Sequence, residues 1–400
     1  MTSRGAPVAV AAVPLGERAV GPDLARGAAL LGIALANTVG WMYGGAWTAL
    51  VKQRDAGALD RAVDVAMSLL VDNRGFPLFA MLFGYGIGVL LRRGRERGET
   101  PGRFRRRMLR RHLVLLGIGL AHGVLLFAGD IVASYAVIGM LAVLFADRRR
   151  ILVIAAALLA SPMLAMWGWL DGTIGPAGGG RLPDVEAATY ADSVMIRAQE
   201  VGVDLMLLPA TDLGLLTPML IGVLLARVRL LEDVARHRAL LRRLWRTLLP
   251  ISLLGALPLT LVLVLDPRAE HLGSETVRGI LGVVHQLSGL GGAVAGAALA
   301  ALAAERLHGP IVAALAALGR MSLTGYVLQS VIALALFPAF TLGLGGRLGS
   351  AGASALMVLA WAAGLVLAVV LDRAGRRGPL EHVLRSLAAP PPPRTTGGRG

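Results

Sequence analysis

The residues able to do chemistry in this chain are few, and they interrupt long apolar runs. Arg26 and Asn37 come first, then Asp64, Asp72 and Arg74, then His122 and Asp130. Asp212, His285, Arg320, Tyr326 and Gln329 complete the set. An imidazole beside a carboxylate suits general-base chemistry, because the carboxylate orients the ring and steadies its charged form. His122 is therefore the candidate base. Asp130 is the candidate orienting group, with Asp212 as the other carboxylate able to serve. Arg26, Asn37, Arg74, Asp212, His285, Arg320, Tyr326 and Gln329 are candidate substrate-binding groups.

Each of these residues also has a purely structural reading. Arg26 can snorkel to headgroups. Asp130 follows Gly129 and can simply cap the next helix. Asp72 and Arg74 can pair with each other. His285, in a Gly-rich stretch, can spend itself on one hydrogen bond to a neighbour, and His122 can do the same.

The elements that must position these groups are apolar runs near 20 residues long, the length of a helix that crosses about 30 Å of hydrocarbon. Spans are expected at 24–44, 64–91, 110–128, 130–146, 151–170, 204–226, 247–265, 279–303, 320–340 and 351–371. Strict alternation is missing, and lipid leaves no backbone group unpaired, so the expected fold is an all-α polytopic membrane bundle and not a barrel. Residues 1–22 read as a cytoplasmic N-terminal segment and 23–372 as one transmembrane helical domain. Residues 373–400 read as a cytoplasmic tail, disordered from about residue 388, where Pro and then Gly and Arg dominate. The 171–203 segment is the longest outer loop, with a short interfacial helix expected over Leu182 to Gln199.

Composition agrees. The 400 residues are 56% hydrophobic with a mean hydropathy of +0.67, and only 16% are charged, against about a quarter in soluble domains. The net charge of +15 is almost all arginine, since Lys52 is the only lysine. Those arginines flank spans and form no soluble basic face, so nucleic acid is not an expected partner. The loops alternate in charge: one side carries 29 basic residues and the other 8. The positive-inside rule makes the basic side cytoplasmic, with both ends inside, and the multi-pass chain belongs in the inner (plasma) membrane of a bacterium. With no cysteine, disulfides, thiolate nucleophiles and Cys-ligated metals are excluded.

Ionisable groups deep in a span are costly and mark functional positions. Depth along the spans places Arg26 and Arg320 near the cytoplasmic face. Asn37, Tyr326 and Gln329 lie midway. His122, Asp130, Asp212 and His285 lie roughly 10 Å from the outer face at 1.5 Å per residue. The expected arrangement is a polar path inside a bundle whose fifth, seventh and tenth spans are scaffold. Gly84 and Gly88 form a small-xxx-small pair that permits close helix approach, and Pro77 is placed to kink the second span beside Arg74.

Four segments carry a resemblance. The first runs from Asp23 through Arg26, Gly27 and Gly32 to Asn37, and the second from Phe76 to Gly86. The third pairs His122 with Gly129, Asp130, Ile131 and Tyr135. The fourth is Gly319, Arg320, Met321, Ser322, Leu323, Thr324, Gly325, Tyr326, Gln329 and Ser330. In this order they resemble the YeiB-like family of bacterial membrane proteins, which carries the domain of unknown function 418. That family is in turn similar to transmembrane acyltransferases, including the lysosomal heparan-α-glucosaminide N-acetyltransferases. The resemblance implies passage of an acyl group from cytosolic acyl-CoA, as co-substrate and with no bound cofactor or metal, to an extracytoplasmic glycan or lipid acceptor. The histidine of those transferases precedes the second span. Here Gly44 to Asp72 contains none, which leaves His122 as its substitute.

In that reading Arg26, Arg320 and the 92–111 loop meet phosphates. Tyr326, Gln329 or Asn37 donates to the thioester oxygen. The alternatives are a transporter for a small anionic or amphiphilic solute, with the buried groups as binding and relay residues, and a membrane scaffold without catalysis.

Overall fold

The computed structural model describes residues 20–180, 182–271 and 274–389. The N-terminal segment up to residue 19 and the Pro- and Gly-rich end of the tail lie outside the described residues. Fourteen helices make up the described fold, in the order α1 Val20–Ala36, α2 Ala58–Leu70, α3 Gly75–Glu96, α4 Pro101–Leu125, α5 Val132–Phe145, α6 Arg150–Thr173 and α7 Tyr190–Thr211. There follow α8 Leu216–Arg227, α9 Val234–Leu265, α10 Glu275–Arg306, α11 Pro310–Arg320, α12 Ser322–Leu336, α13 Ser350–Arg373 and α14 Pro379–Ala388. The only β pairing among the described residues is an isolated bridge between Trp47 and Gln53. The chain is an all-α bundle.

Seven helical stretches are long and apolar enough to cross a membrane, and α11 with α12 makes an eighth if that pair, bent by 89°, is one span. The spans expected at 24–44 and 130–146 correspond to α1 and α5, which are 17 and 14 residues long. Two expected spans are interrupted. The 64–91 span is α2 followed by α3, and the break at 71–74 has Asn73 in the left-handed region at φ 61°. Asn tolerates that conformation better than other non-glycine residues. Pro77, expected to kink this span, sits instead in the first turn of α3, where a missing N–H costs nothing.

The 204–226 span is the end of α7, a short 3₁₀ turn over Asp212–Leu215, and α8. The interfacial helix expected over Leu182 to Gln199 is corrected accordingly. The α-helix starts at Tyr190, where the Thr189 hydroxyl accepts from the Asp192 amide, and it runs unbroken to Thr211. Nothing in Val201 to Leu208 breaks it.

Packing follows the small residues. A Cβ on Gly84 of α3 would lie 1.9 Å from the Met219 carbonyl oxygen of α8, and one on Gly222 of α8 would lie 1.9 Å from the Met81 oxygen. The two backbones touch, which is how helices associate where no hydrophobic drive separates protein from lipid. The α2–α3 and α7–α8 stretches are the most buried, at 61% and 56% of their apolar windows. The scaffold helices α6, α9 and α13 are buried over 28, 33 and 28% and present most of their surface outward.

Candidate active site

The helix α4 begins with Thr100 as N-cap and Pro101 in its first turn, and it ends one turn after His122. The amides of Leu126 and Phe127 both bond the His122 carbonyl, at 2.8 and 3.1 Å, and close the helix end. The chain then turns and enters α5. A Cβ on Gly119 would lie 2.3 Å from the Ala133 nitrogen, so α4 and α5 approach closely across the turn. Asp130 sits in that turn and serves both helices. Its Oδ2 accepts from the Ala133 amide at 2.8 Å, which caps the first turn of α5. Its Oδ1 lies 2.8 Å from Nδ1 of His122. The capping and orienting readings of Asp130 therefore both describe it.

The His122–Asp130 contact is short but off-axis, since neither atom has a directed hydrogen bond among the described residues. Both side chains are almost fully enclosed, at 2% and 4% exposure. A carboxylate beside Nδ1 favours the tautomer with its proton there and leaves the Nε2 lone pair available as a base. Nε2 has no partner.

Tyr326 of α12 packs on His122 with ring centroids 4.9 Å apart. Its hydroxyl faces the Asn37 side chain and the Ile131 backbone without a well-formed hydrogen bond. One turn on, Gln329 donates to the Leu30 carbonyl of α1 at 3.4 Å and keeps its own oxygen unpartnered. The α1–α12 contact thus holds a polar seam that leads from His122 past Asn37 and Gln329 toward the end of α1 that carries Arg26.

Arg26 itself bonds Asp23 at 3.2 Å and the Leu82 carbonyl at 2.9 Å. Arg320, at the kink before α12, bonds Asp372 at 2.6 Å.

Sequence reasoning overlooked the brace behind this site. Arg197 of α7 is fully buried, with Nε on the Val124 carbonyl at 2.9 Å and Nη2 on the Leu125 carbonyl at 3.3 Å. Its Nη1 bonds Asp184 at 2.9 Å and Ser193 at 2.7 Å. Its guanidinium takes the orphan carbonyls at the end of the helix that carries His122. The signal in the sequence was the spacing of Ser193 and Arg197 on one helical face. His112, one residue beyond the arginine pair on α4, was also passed over; it is buried, with Nδ1 2.7 Å from the Met108 carbonyl.

The remaining candidates lie elsewhere. Asp212, in the turn between α7 and α8, accepts from the Ser134 hydroxyl at 2.5 Å and ties α5 to that turn. Arg74 and His285 belong to a second polar cluster at the α2–α3 break. Arg74 bonds the Ser68, Asp72 and Ser252 carbonyls. The side-chain pairing expected between Asp72 and Arg74 is corrected: the Asp72 carboxylate meets Lys52 instead, at 2.9 Å. His285 is fully buried, with Nε2 2.9 Å from the Ser68 carbonyl and Nδ1 3.1 Å from the Asn73 amide nitrogen, which also donates to Asp171 at 2.6 Å. Both ring nitrogens of His285 are engaged inside the protein, so the structure gives it a packing role and no open atom for substrate. Lys52, Asn73 and Asp171 were missed because loop residues were counted only for topology.

No group of three His, Asp or Glu side chains that could hold a metal occurs among the described residues. Two surface grooves of about 540 and 490 Å³ flank α12 and the α2–α9 contact, and neither is lined by His122, Asp130 or Tyr326.

Residues 225–390 match the family described as "Protein of unknown function (DUF418)". The chain is 25% identical over 394 residues to "Uncharacterized protein YxaH" of Bacillus subtilis, covering 91% of this chain and 92% of that one. It is 29% identical over 395 residues to "Uncharacterized protein YeiB" of Escherichia coli, covering 93% and 96%. A 39.9 kDa protein of Bacillus acidopullulyticus is 33% identical over 129 residues, about a third of either chain.

Proposed function

The chain belongs to the YeiB-like DUF418 family, and on its geometry we propose that it is a membrane-embedded acyltransferase of the bacterial plasma membrane. It passes an acyl group from cytosolic acyl-CoA to a hydroxyl or amine acceptor on the other side. The observation that carries this reading is the His122–Asp130 pair, enclosed beside the unpartnered Tyr326 hydroxyl and Gln329 carbonyl. His122 Nε2 takes the acceptor proton as the acceptor heteroatom attacks the thioester carbonyl. The C–S bond breaks, and the imidazolium returns the proton to the leaving CoA sulfur. Asp130 steadies the imidazolium in between. The Tyr326 hydroxyl donates to the oxygen that gains negative charge. Arg110 and Arg111 lie about 17 Å back along the same helix, at 1.5 Å per residue, where phosphates of the donor can be held.

The chain has no cysteine, so free CoA thiol can be followed directly with a thiol reagent. Purified protein is expected to release CoA from acyl-CoA faster when an acceptor is added. Failure to bind acyl-CoA at all would overturn the class.

A transporter is the second reading, favoured by one observation: three helices are interrupted, at 71–74, at 212–215 and at the 89° bend before Ser322. Broken helices at depth are common where transporters bind solutes. Solute uptake into proteoliposomes without acyl-CoA would favour it.

A further inference from the structure

Residues 41–57 fold back as a hairpin whose bridge pairs Trp47 with Gln53. At its tip Leu50 and Val51 are left-handed, at φ 57° and 51°. Val is β-branched and strongly disfavours that region. Strain of this kind persists only where surrounding contacts enforce it, and it concentrates at functional positions. The enforcing contacts are visible. Leu50 packs on Leu259 and Leu263 of α9. Lys52, 3% exposed, reaches Asp72 at the α2–α3 break.

Beside this pair stands Asp64, 1% exposed. Its charged neighbours are Lys52, Asp72 and Arg61, and it faces Ser350. Neither Asp64 oxygen accepts a hydrogen bond among the described residues. The Lys52–Asp72 contact is also undirected, since Asp72 Oδ2 has no hydrogen bond despite the 2.9 Å separation. Arg61 is turned away, onto the Leu263, Arg54 and Ala56 carbonyls. One ammonium therefore serves two buried carboxylates and satisfies neither fully. An ammonium has three donors, and a buried carboxylate without partners is costly.

We propose that Asp64 and Asp72 form a second site, separate from the His122 pair, that binds an ammonium group; Lys52 fills it from the hairpin, and an alkylammonium solute displaces Lys52 as the strained hairpin lifts. The resident side chain models the ligand: a primary ammonium on an alkyl stem. A free solute can turn its N–H groups onto both carboxylates, which the tethered Lys52 does not do. Lifting relieves the left-handed Leu50 and Val51. A hard metal ion is not the fit, because the donors include no third carboxylate or imidazole grouping.

The absence of cysteine makes the test direct. Thr48, on the hairpin and 1% exposed, is changed to Cys in the full chain, and maleimide labelling is timed in detergent micelles. Labelling is expected to be slow alone and to rise saturably with methylammonium, by about tenfold if the ligand shifts the hairpin population by that factor. Sodium and tetramethylammonium, which has no N–H, are expected to leave it slow, and adding Asp64→Asn is expected to abolish the methylammonium response. Ala49→Cys replaces Thr48→Cys should that variant misfold. As a second readout, Lys52→Ala is expected to melt lower and to be raised again by methylammonium but not by sodium. The proposal is overturned by labelling that methylammonium does not change, by an equal response to tetramethylammonium, by fast labelling without ligand, or by an unaltered response in Asp64→Asn.

Discussion

His122 Nδ1 and Asp130 Oδ1 stand 2.8 Å apart across the turn between α4 and α5, while the other oxygen of Asp130 caps α5. One side chain thus fixes both the entry of a helix and the environment of the candidate base. The two roles can be separated by substitution. Asn keeps the capping oxygen but loses the charge, whereas Ala loses both. Asp130→Asn is expected to lower acyl transfer by about 100-fold or more, the scale of a general base deprived of its orienting charge, with little change in thermal midpoint. Asp130→Ala is expected to cost about a further 1 kcal/mol of stability for the lost cap. Equal activity loss with equal destabilisation in both variants would assign Asp130 to capping alone.

Arg197 offers a test of the brace. It is buried with Asp184, at 0% and 1% side-chain exposure. Removing one partner strands a buried charge, so Arg197→Ala is expected to destabilise the chain by about 3–5 kcal/mol. Arg197→Met with Asp184→Leu removes both charges and should recover much of that loss. Thermal unfolding in micelles reads both, and a double variant as unstable as the single one would show that the carbonyl bonds to Val124 and Leu125 matter more than the ion pair.

Two glycines predict opposite signs. A Cβ on Gly84 meets the Met219 backbone at 1.9 Å, whereas one on Gly117, exposed on α4, meets nothing within 4 Å. Gly84→Ala is expected to lower stability by about 1–3 kcal/mol through overpacking of α3 on α8. Gly117→Ala is expected to raise it by about 0.5–1 kcal/mol through helix propensity. The comparison of melting midpoints needs no activity assay.

Glu99, in the connection between α3 and α4, carries the pH prediction. Its hydrogen bonds from Arg107, at 2.8 and 2.9 Å, hold its carboxyl below the usual carboxylate range, aided by the charges of Arg107, Arg97 and Arg103. A carboxyl lowered in the folded state stabilises above its unfolded value and loses that contribution as pH falls through the folded one. The wild-type chain is therefore expected to lose stability on acidification below the ordinary carboxylate range, and Glu99→Gln to lose less over the same range. Parallel curves for the two would contradict the assignment.

The His122–Asp130 pair was legible in the sequence because its two members lie on either side of one turn, where geometry is local. The all-α bundle was legible because lipid permits little else for such long apolar runs. The break at 71–74 was not, because Asn73 enters the left-handed region with no glycine or proline to announce it. Lys52 was not, because its partner Asp72 lies across a hairpin, and a loop lysine counted for topology carries no mark of being buried. The continuation of α7 into α8 was missed because Gly and Pro near 175–183 drew attention to a loop and away from the run that follows.

The central claim is that His122 acts as base in acyl transfer from acyl-CoA. The most direct measurement is transfer of a labelled acyl group from acyl-CoA to acceptor by the purified chain, set beside His122→Ala and with CoA binding measured in both. The account predicts acceptor-dependent transfer by the wild type, and in the variant a fall of about 100-fold or more with CoA binding kept. Full transfer by His122→Ala would contradict it.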